Sequence, residues 1–221
     1  MQKTLSLYDT TIGKKAIAAV TGVVLYGFVI GHMLGNLQLF LGRETFNAYA
    51  AALKGNPPLL WGVRSVLLVS IVLHVATTLS LVARSAAARS IGYRQKQHAT
   101  TNYAAMTMRW GGPALFLFIL FHLAHYTFPG IALGNYRHDH FDVYGNVIHG
   151  FSVPWVTAIY VAAQTCLGFH LYHGAWSLFQ SLGISHPRYN HMIKLGPKAL
   201  GVGVAAGNIL MPLAVLAGVV R

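Results

Sequence analysis

QTCLGFHLYHGAWSLFQSLG, residues 164–183, sets His170 and His173 three apart in a mostly apolar run with no carboxylate near them. A buried imidazole is costly unless something binds its nitrogens, so the solvent around this segment decides both the fold and the chemistry. The composition identifies that solvent. Of 221 residues, 55% are hydrophobic and 9% charged, with a mean hydropathy of +0.52, whereas a soluble domain carries about 25% charged residues. The chain is solvated by lipid.

A bilayer crossing takes roughly 20 helical residues, and five apolar segments are long enough: about 15–41, 59–83, 106–128, 154–182 and 197–220. The expectation is an all-α membrane protein, a single integral membrane domain over 1–221 with five transmembrane helices. The first segment is too long for a cleaved signal peptide and continues as HMLGNLQLF, so it is expected to remain as a helix.

The formal charge of +12 follows membrane topology and does not call for nucleic acid. With the N-terminus inside, Lys3, Lys14, Lys15, Arg84, Arg89, Arg94, Lys96, Arg109, Arg188, Lys194 and Lys198 lie on the inner face. Arg43, Lys54, Arg64, Arg137 and Arg221 lie on the outer one, and eleven against five favours N-in, C-out. The inner loops are then 84–105 and 183–196, and the outer ones 42–58 and 129–153. His138, His140 and His149, with Asp139 and Asp142, read as solvated outer-loop residues. Cys166 is the only cysteine, which excludes an intrachain disulfide and a four-thiolate iron–sulfur cluster.

Ionisable residues inside membrane helices point to function. Here His32 falls in the first segment, His74 in the second, His122 and His125 in the third, and His170 and His173 in the fourth. Asp9, Glu44, Asp139 and Asp142 are the only acids and all lie outside the spans, which excludes a di-iron carboxylate site and a relay of buried carboxylates. A metal that accepts neutral nitrogen ligands and brings its own apolar body is left: haem, held within a bundle formed largely by the first four helices.

Depth pairs the ligands. At the helical rise, His32 lies ~15 Å before Gly42 and His122 ~10 Å before Pro129, while His74 lies ~24 Å after Pro58 and His170 ~24 Å after Pro154. His32 with His122 makes an outer pair and His74 with His170 an inner one, two haem irons separated by roughly 10 to 14 Å along the membrane normal. His125 and His173 sit nearly one turn beyond their neighbours and share roughly the same face, so they are rival ligands; spacing favours His122 and His170. Gly22, Gly27, Gly31 and Gly35 along the first helix, and Gly168 and Gly174 around the fourth-helix histidines, suit either a flat macrocycle or close helix packing.

TGVVLYGFVIGHMLGNLQLF (21–40) with GRETFNAYA (42–50), LFILFHLAHYTF (117–128) and FHLYHGAWSLFQSLG (169–183) resemble the diheme, five-helix cytochrome b subunit of succinate dehydrogenases and fumarate reductases, over nearly the whole chain. The resemblance implies axial ligands at His32, His74, His122 and His170, with His125 and His173 not ligands, and two haem b groups. It implies partners too: a flavoprotein subunit that oxidises succinate, an iron–sulfur subunit that relays electrons, and a membrane quinone, menaquinone or ubiquinone, as the far substrate. On this reading the chain anchors both subunits in the bacterial cytoplasmic membrane and has no dicarboxylate site of its own, and a trimer of the three-subunit complex is the implied assembly. Some members carry a glutamate two residues before the fourth-helix ligand; here that position is Gly168, so proton movement by that route is not implied.

In the family one quinone site lies toward the outer haem, where Glu44, Asn47 and Arg64 are the candidates. A second, at the inner face, would be bounded by Lys15, Thr21, Arg84 and Arg109, groups that equally suit haem propionates or anionic headgroups. Two other readings stand beside this one: a diheme cytochrome b serving a formate dehydrogenase or hydrogenase, and a haem-free transporter that moves protons on histidines, which the absence of buried acids disfavours.

Overall fold

Thr10 accepts the Gly13 N–H at 2.9 Å and caps the first helix, α1 (Thr11–Asn36), which tightens into a 3-10 turn at Leu37–Leu41. The chain then reverses at Gly42, whose φ of 96° falls where a side chain is strained, and enters the short amphipathic α2 (Arg43–Lys54). Asn56 caps α3 (Pro57–Ala87) through the Leu59 N–H, with prolines in the first turn where no N–H is needed. Next come α4 (Tyr103–His122), a π-helical turn at Leu123–Thr127, α5 (Val143–Phe151), α6 (Pro154–Ser181) and α7 (Asn190–Leu216). The computed structural model describes residues 6–88, 103–128, 138–184 and 186–221, and no strand occurs among them. Lys3, Arg89, Arg94, Lys96 and Arg137, with much of the expected loops 84–105 and 129–153, lie outside the described residues.

Four stretches are long and apolar enough to cross a membrane: Thr11–Leu41, Pro57–Ala87, Met106–Thr127 and Asn190–Leu216. The segment expected at 154–182 differs. α6 reaches that standard only together with α5, from which it turns by 94° at the Ser152–Val153 break. Its reason is compositional: α6 carries Thr157, Gln164, Thr165, His170 and His173. It can carry them because it is the interior helix, packed along α7 on one side and α4 on the other.

The polarity of the bundle is that of a membrane protein. Val20, Leu34, Leu68, Val72, Leu117 and Val202 are among many large apolar side chains facing outward, while Thr21, Ser70, Thr77, Thr157 and Gln164 are buried. Water would reverse that arrangement; lipid permits it. The compact apolar cluster sits at one end only, where Leu39, Phe46, Tyr144, Phe151, Val156, Tyr160, Met211 and Val215 join α2 and α5 to the ends of α6 and α7. We call this the cap end.

One helix pair and one group of three build the rest. α1 lies along α3, and α6 lies along α4 and α7, while α1 meets α6 and α7 over short stretches. Among the described residues no extended backbone contact joins α1 to α4 or α3 to α6. The α6–α7 seam is the tightest: a Cβ at Gly201 would stand 2.6 Å from the Gly168 carbonyl oxygen, and one at Gly168 would stand 2.9 Å from the Ala205 Cβ. Gly168 therefore serves helix packing, and α7 backbone fills the space a longer side chain there would need.

Gly201→Val should separate α6 from α7 and destabilise the detergent-solubilised protein by about 1–3 kcal/mol, the range for overpacked sites. Gly203→Ala, where an added Cβ meets nothing within 4 Å, should leave the thermal midpoint unchanged or raised.

Candidate functional site

Where α1 faces α4 and α3 faces α6, imidazoles span the distance between the helices. His32 and His122 approach with ring centres 5.8 Å apart and planes at 82°. His74 and His170 approach at 6.3 Å and 64°. The first pair lies nearer the cap end and the second nearer the opposite end. Two imidazoles trans to one metal, each through a bond of about 2 Å, have ring centres about 6 Å apart, so both pairs have the spacing of a bis-histidine site.

At His74 and His122 the second ring nitrogen is arranged as a metal ligand needs. A ligating histidine usually gives its second ring N–H to a carbonyl or other oxygen, which fixes the tautomer and aims the remaining nitrogen. The His74 Nδ1 lies 3.1 Å from the Ala18 carbonyl and 3.3 Å from the Thr21 hydroxyl, whose own proton goes to the Ile17 carbonyl at 2.7 Å. The His122 Nδ1 lies 3.0 Å from the Tyr160 hydroxyl. The His170 Nδ1 is buried without a hydrogen-bond partner among the described residues. His32 stacks on Phe28 at 5.3 Å, makes no hydrogen bond among the described residues, and keeps an exposed ring in a slab of apolar side chains. Lipid offers nothing to that nitrogen. The donor set, two pairs of neutral imidazoles at trans spacing with no acid between them, fits haem.

The glycines divide between the two uses left open by their spacing. A Cβ at Gly35 would stand 2.4 Å from the Tyr49 hydroxyl oxygen, so Gly35 serves packing, as Gly168 does. A Cβ at Gly22 would meet the His74 ring at an ordinary 3.5 Å. Gly27, Gly31 and Gly174 meet nothing within 4 Å, which leaves backbone open beside the histidines.

Two features here were not read from the sequence. Tyr160 is buried on α6 with its hydroxyl 3.0 Å from the Nδ1 of both His122 and His125. The π-helical turn at Leu123–Thr127 begins directly after His122, changing the register so that both histidines reach one hydroxyl. Tyr160 precedes His170 by ten residues, roughly 15 Å along α6, which sets it at the level of the His32–His122 pair; that offset was the available signal. His125 itself is buried. The His173 Nδ1 is buried and without a hydrogen-bond partner among the described residues.

At the end away from the cap, Thr21 touches the His74 ring as described, while two of the residues grouped with it, Arg84 and Arg109, are engaged elsewhere. The Arg84 guanidinium donates to the Asp9 carbonyl at 2.9 Å, Arg109 lies over the Trp110 ring, and Lys15 is exposed. Lys14 is the buried cation there, bonded to the Ser80 hydroxyl beside the Tyr8 ring.

One quinone candidate, Asn47, is engaged within the cap. Residues 138–153, read from the sequence as a solvated loop, end in a folded α5 bound to α2 through Asp142. Asp142 accepts the Asn47 amide at 2.9 Å and the Gly145 N–H at 3.1 Å, and pairs with Arg43. The Asn47 carbonyl oxygen accepts the Tyr144 N–H at 2.9 Å, so both ends of that amide hold the cap together. Glu44 is exposed in the first turn of α2 with no hydrogen bond among the described residues, and Arg64 lies over the Trp61 ring at 5.1 Å.

No family model, curated protein or solved structure matches the chain.

The Asn47 hydrogen bond above all, then the Gly145 N–H and the Arg43 charge, hold the Asp142 carboxyl below its ordinary 3.8 against the opposing effect of burial. A carboxyl lowered on folding stabilises the cap fully above 3.8 and loses that contribution as pH falls through its folded value. Protection of the Tyr144 and Gly145 amides, taken relative to the intrinsic exchange rate at each pH, should therefore fall below pH 3.8 in the native protein. In Asp142→Asn that protection should already be low at neutral pH and change less on acidification.

Proposed function

We propose that this chain is the diheme cytochrome b anchor of a succinate:quinone oxidoreductase, a succinate dehydrogenase or fumarate reductase, in a bacterial cytoplasmic membrane. The observation that carries the haem reading is the pair of imidazole contacts, His32 with His122 and His74 with His170, at trans-ligand spacing and at two depths in a bundle whose helices are otherwise apolar outside. The succinate assignment rests on the resemblance of residues 21–50, 117–128 and 169–183 to that family.

Bound between such histidines, a haem supplies a one-electron carrier that needs no protein acid in the membrane. The residues of the chain do the holding. His32 and His122 take the outer group and His74 and His170 the inner one; the Ala18 carbonyl holds the His74 ring and Tyr160 the His122 ring. The excess of Lys and Arg on the expected inner loops sets the N-terminus in the cytoplasm and the cap end outside, and turns the His74–His170 end toward the iron–sulfur and flavoprotein subunits. A menaquinone or ubiquinone then reacts at the cap end. Glu44 is the acid there that makes no hydrogen bond among the described residues, and it serves to exchange a proton with the quinone; Arg64 and Asn47 are the further candidates.

A visible spectrum of the reduced protein with a haem-to-protein ratio tests the reading directly, with two low-spin b haems expected per chain; a colourless protein that binds none overturns it. Replacing His32, His74, His122 or His170 with alanine should each lower the ratio from about two to about one, because an iron bound by two imidazoles loses its low-spin state when one goes. His125→Ala and His173→Ala should retain both haems. Copurification with a formate dehydrogenase or hydrogenase in place of a flavoprotein would move the chain to another quinone-linked complex and leave the haem reading intact.

A further inference from the structure

Tyr160 touches two histidines with one hydroxyl. The oxygen stands 3.0 Å from the His122 Nδ1 and 3.0 Å from the His125 Nδ1, and tyrosine and His125 are both buried. A phenol has one proton to give, so at most one of the two imidazoles can accept from Tyr160; a buried O–H that must itself find an acceptor gives its proton to one ring and accepts the N–H of the other.

Only one sense lets His122 bind iron toward His32. If the His122 Nε2 faces the metal with its lone pair, the ring proton is on Nδ1 and is donated to the Tyr160 oxygen. The tyrosine proton then goes to the His125 Nδ1, and His125 carries its own proton on Nε2. The reverse order would leave a proton on the His122 Nε2 and block the ligand. The packing holds the three rings in place. The Tyr160 ring is enclosed by Phe118, Phe121 and Phe151 at centroid distances of 5.0, 6.0 and 4.9 Å. The His125 ring lies on Tyr126 at 3.9 Å. Gly150 gives it room, since a Cβ there would stand 2.8 Å from the His125 Nε2.

We propose that Tyr160 is the positioning residue of the outer haem, fixing the His122 tautomer by accepting its Nδ1–H while His125, through its Nδ1, accepts the Tyr160 proton and strengthens that acceptor. The His74 ring at the other level uses a backbone carbonyl for the same purpose, which no side-chain substitution removes; the outer level uses a side chain whose strength a second histidine sets. His125 thereby acts on the outer haem without touching it.

This inference rests on the haem reading, and the test separates the two. Tyr160→Phe keeps the ring and removes the hydroxyl. Two haems per chain should remain, and the outer haem should become easier to reduce, because a ligand imidazole that donates a hydrogen bond is more basic and favours the oxidised iron. Only the part of that hydrogen bond that differs between oxidised and reduced iron counts, so the outer haem's reduced-to-oxidised ratio at fixed potential should rise by a few-fold and by less than about tenfold, less than about 59 mV for one electron, with the inner haem unmoved. His125→Leu should shift the outer haem in the same direction by less, and His125→Asn, whose amide oxygen can take the Nδ1 position, should restore it. If wild type binds two haems and the outer potential is the same in Tyr160→Phe, the positioning role is wrong and the haem reading stands; if wild type binds none, the haem reading itself fails. Should Tyr160→Phe fail to assemble, the His125→Leu and His125→Asn pair decides, and equal potentials in the two overturn the proposal.

Discussion

Every imidazole nitrogen placed among lipid-facing helices must find a partner that lipid cannot supply, and the arrangement of this bundle follows from that constraint. In water an unpaired ring nitrogen is solvated at no cost; buried in an apolar slab it costs about 1–3 kcal/mol. His74 and His122 meet the demand at one nitrogen with the Ala18 carbonyl and Tyr160, and His32 meets it nowhere among the described residues. Across the bundle these rings meet in pairs, with centres 5.8 and 6.3 Å apart. Paired imidazoles with no acid in reach are the donor set on which the proposed haem reading rests.

The helix contacts are arranged around those pairs. α6 and α7 touch backbone to backbone at Gly168 and Gly201, and α1 lies along α3, but α1 and α4, like α3 and α6, are bridged by side chains. Small residues therefore have two jobs in one bundle. Gly35, Gly168 and Gly201 let elements close on each other, whereas Gly27, Gly31 and Gly174 leave the backbone open. The same residue type at similar spacing carries opposite packing consequences, which depend on what stands opposite.

The cap performs what an apolar core performs in a soluble domain. Its cluster, from Leu39 to Val215, is gathered where the chain leaves the slab and where α2, α5 and the ends of α6 and α7 converge. Asp142 and Asn47 tie α2 to α5 through three contacts, the Arg43–Asp142 pair, the Asn47 amide to Asp142 and the Tyr144 N–H to Asn47, while the Gly145 N–H caps α5 on the same Asp142 carboxyl. Tyr160 belongs to both regions: its ring completes the cap cluster and its hydroxyl reaches the His32–His122 level. Cap stability and the placement of the His122 ring are therefore linked through one side chain.

The sequence by itself determined the lipid environment, the helical class and the two levels of histidines, because hydropathy and the 1.5 Å rise are properties of single segments. Periodicity along one helix places His32 ten residues from Gly42 and His74 sixteen from Pro58 whatever surrounds them. Tertiary structure alone decided which glycines are filled and which are open, since that depends on the element opposite, and it withdrew Asn47 from a free role by placing Asp142, 95 residues away in sequence, against its amide. It also decided the bend that sets α5 at 94° to α6 and the register change after His122. That π-helical turn leaves no mark in hydropathy, yet it brings His122 and His125 to one hydroxyl on another helix, because hydrogen bonding between side chains is settled by ångström-scale position across the bundle and not by spacing along the chain.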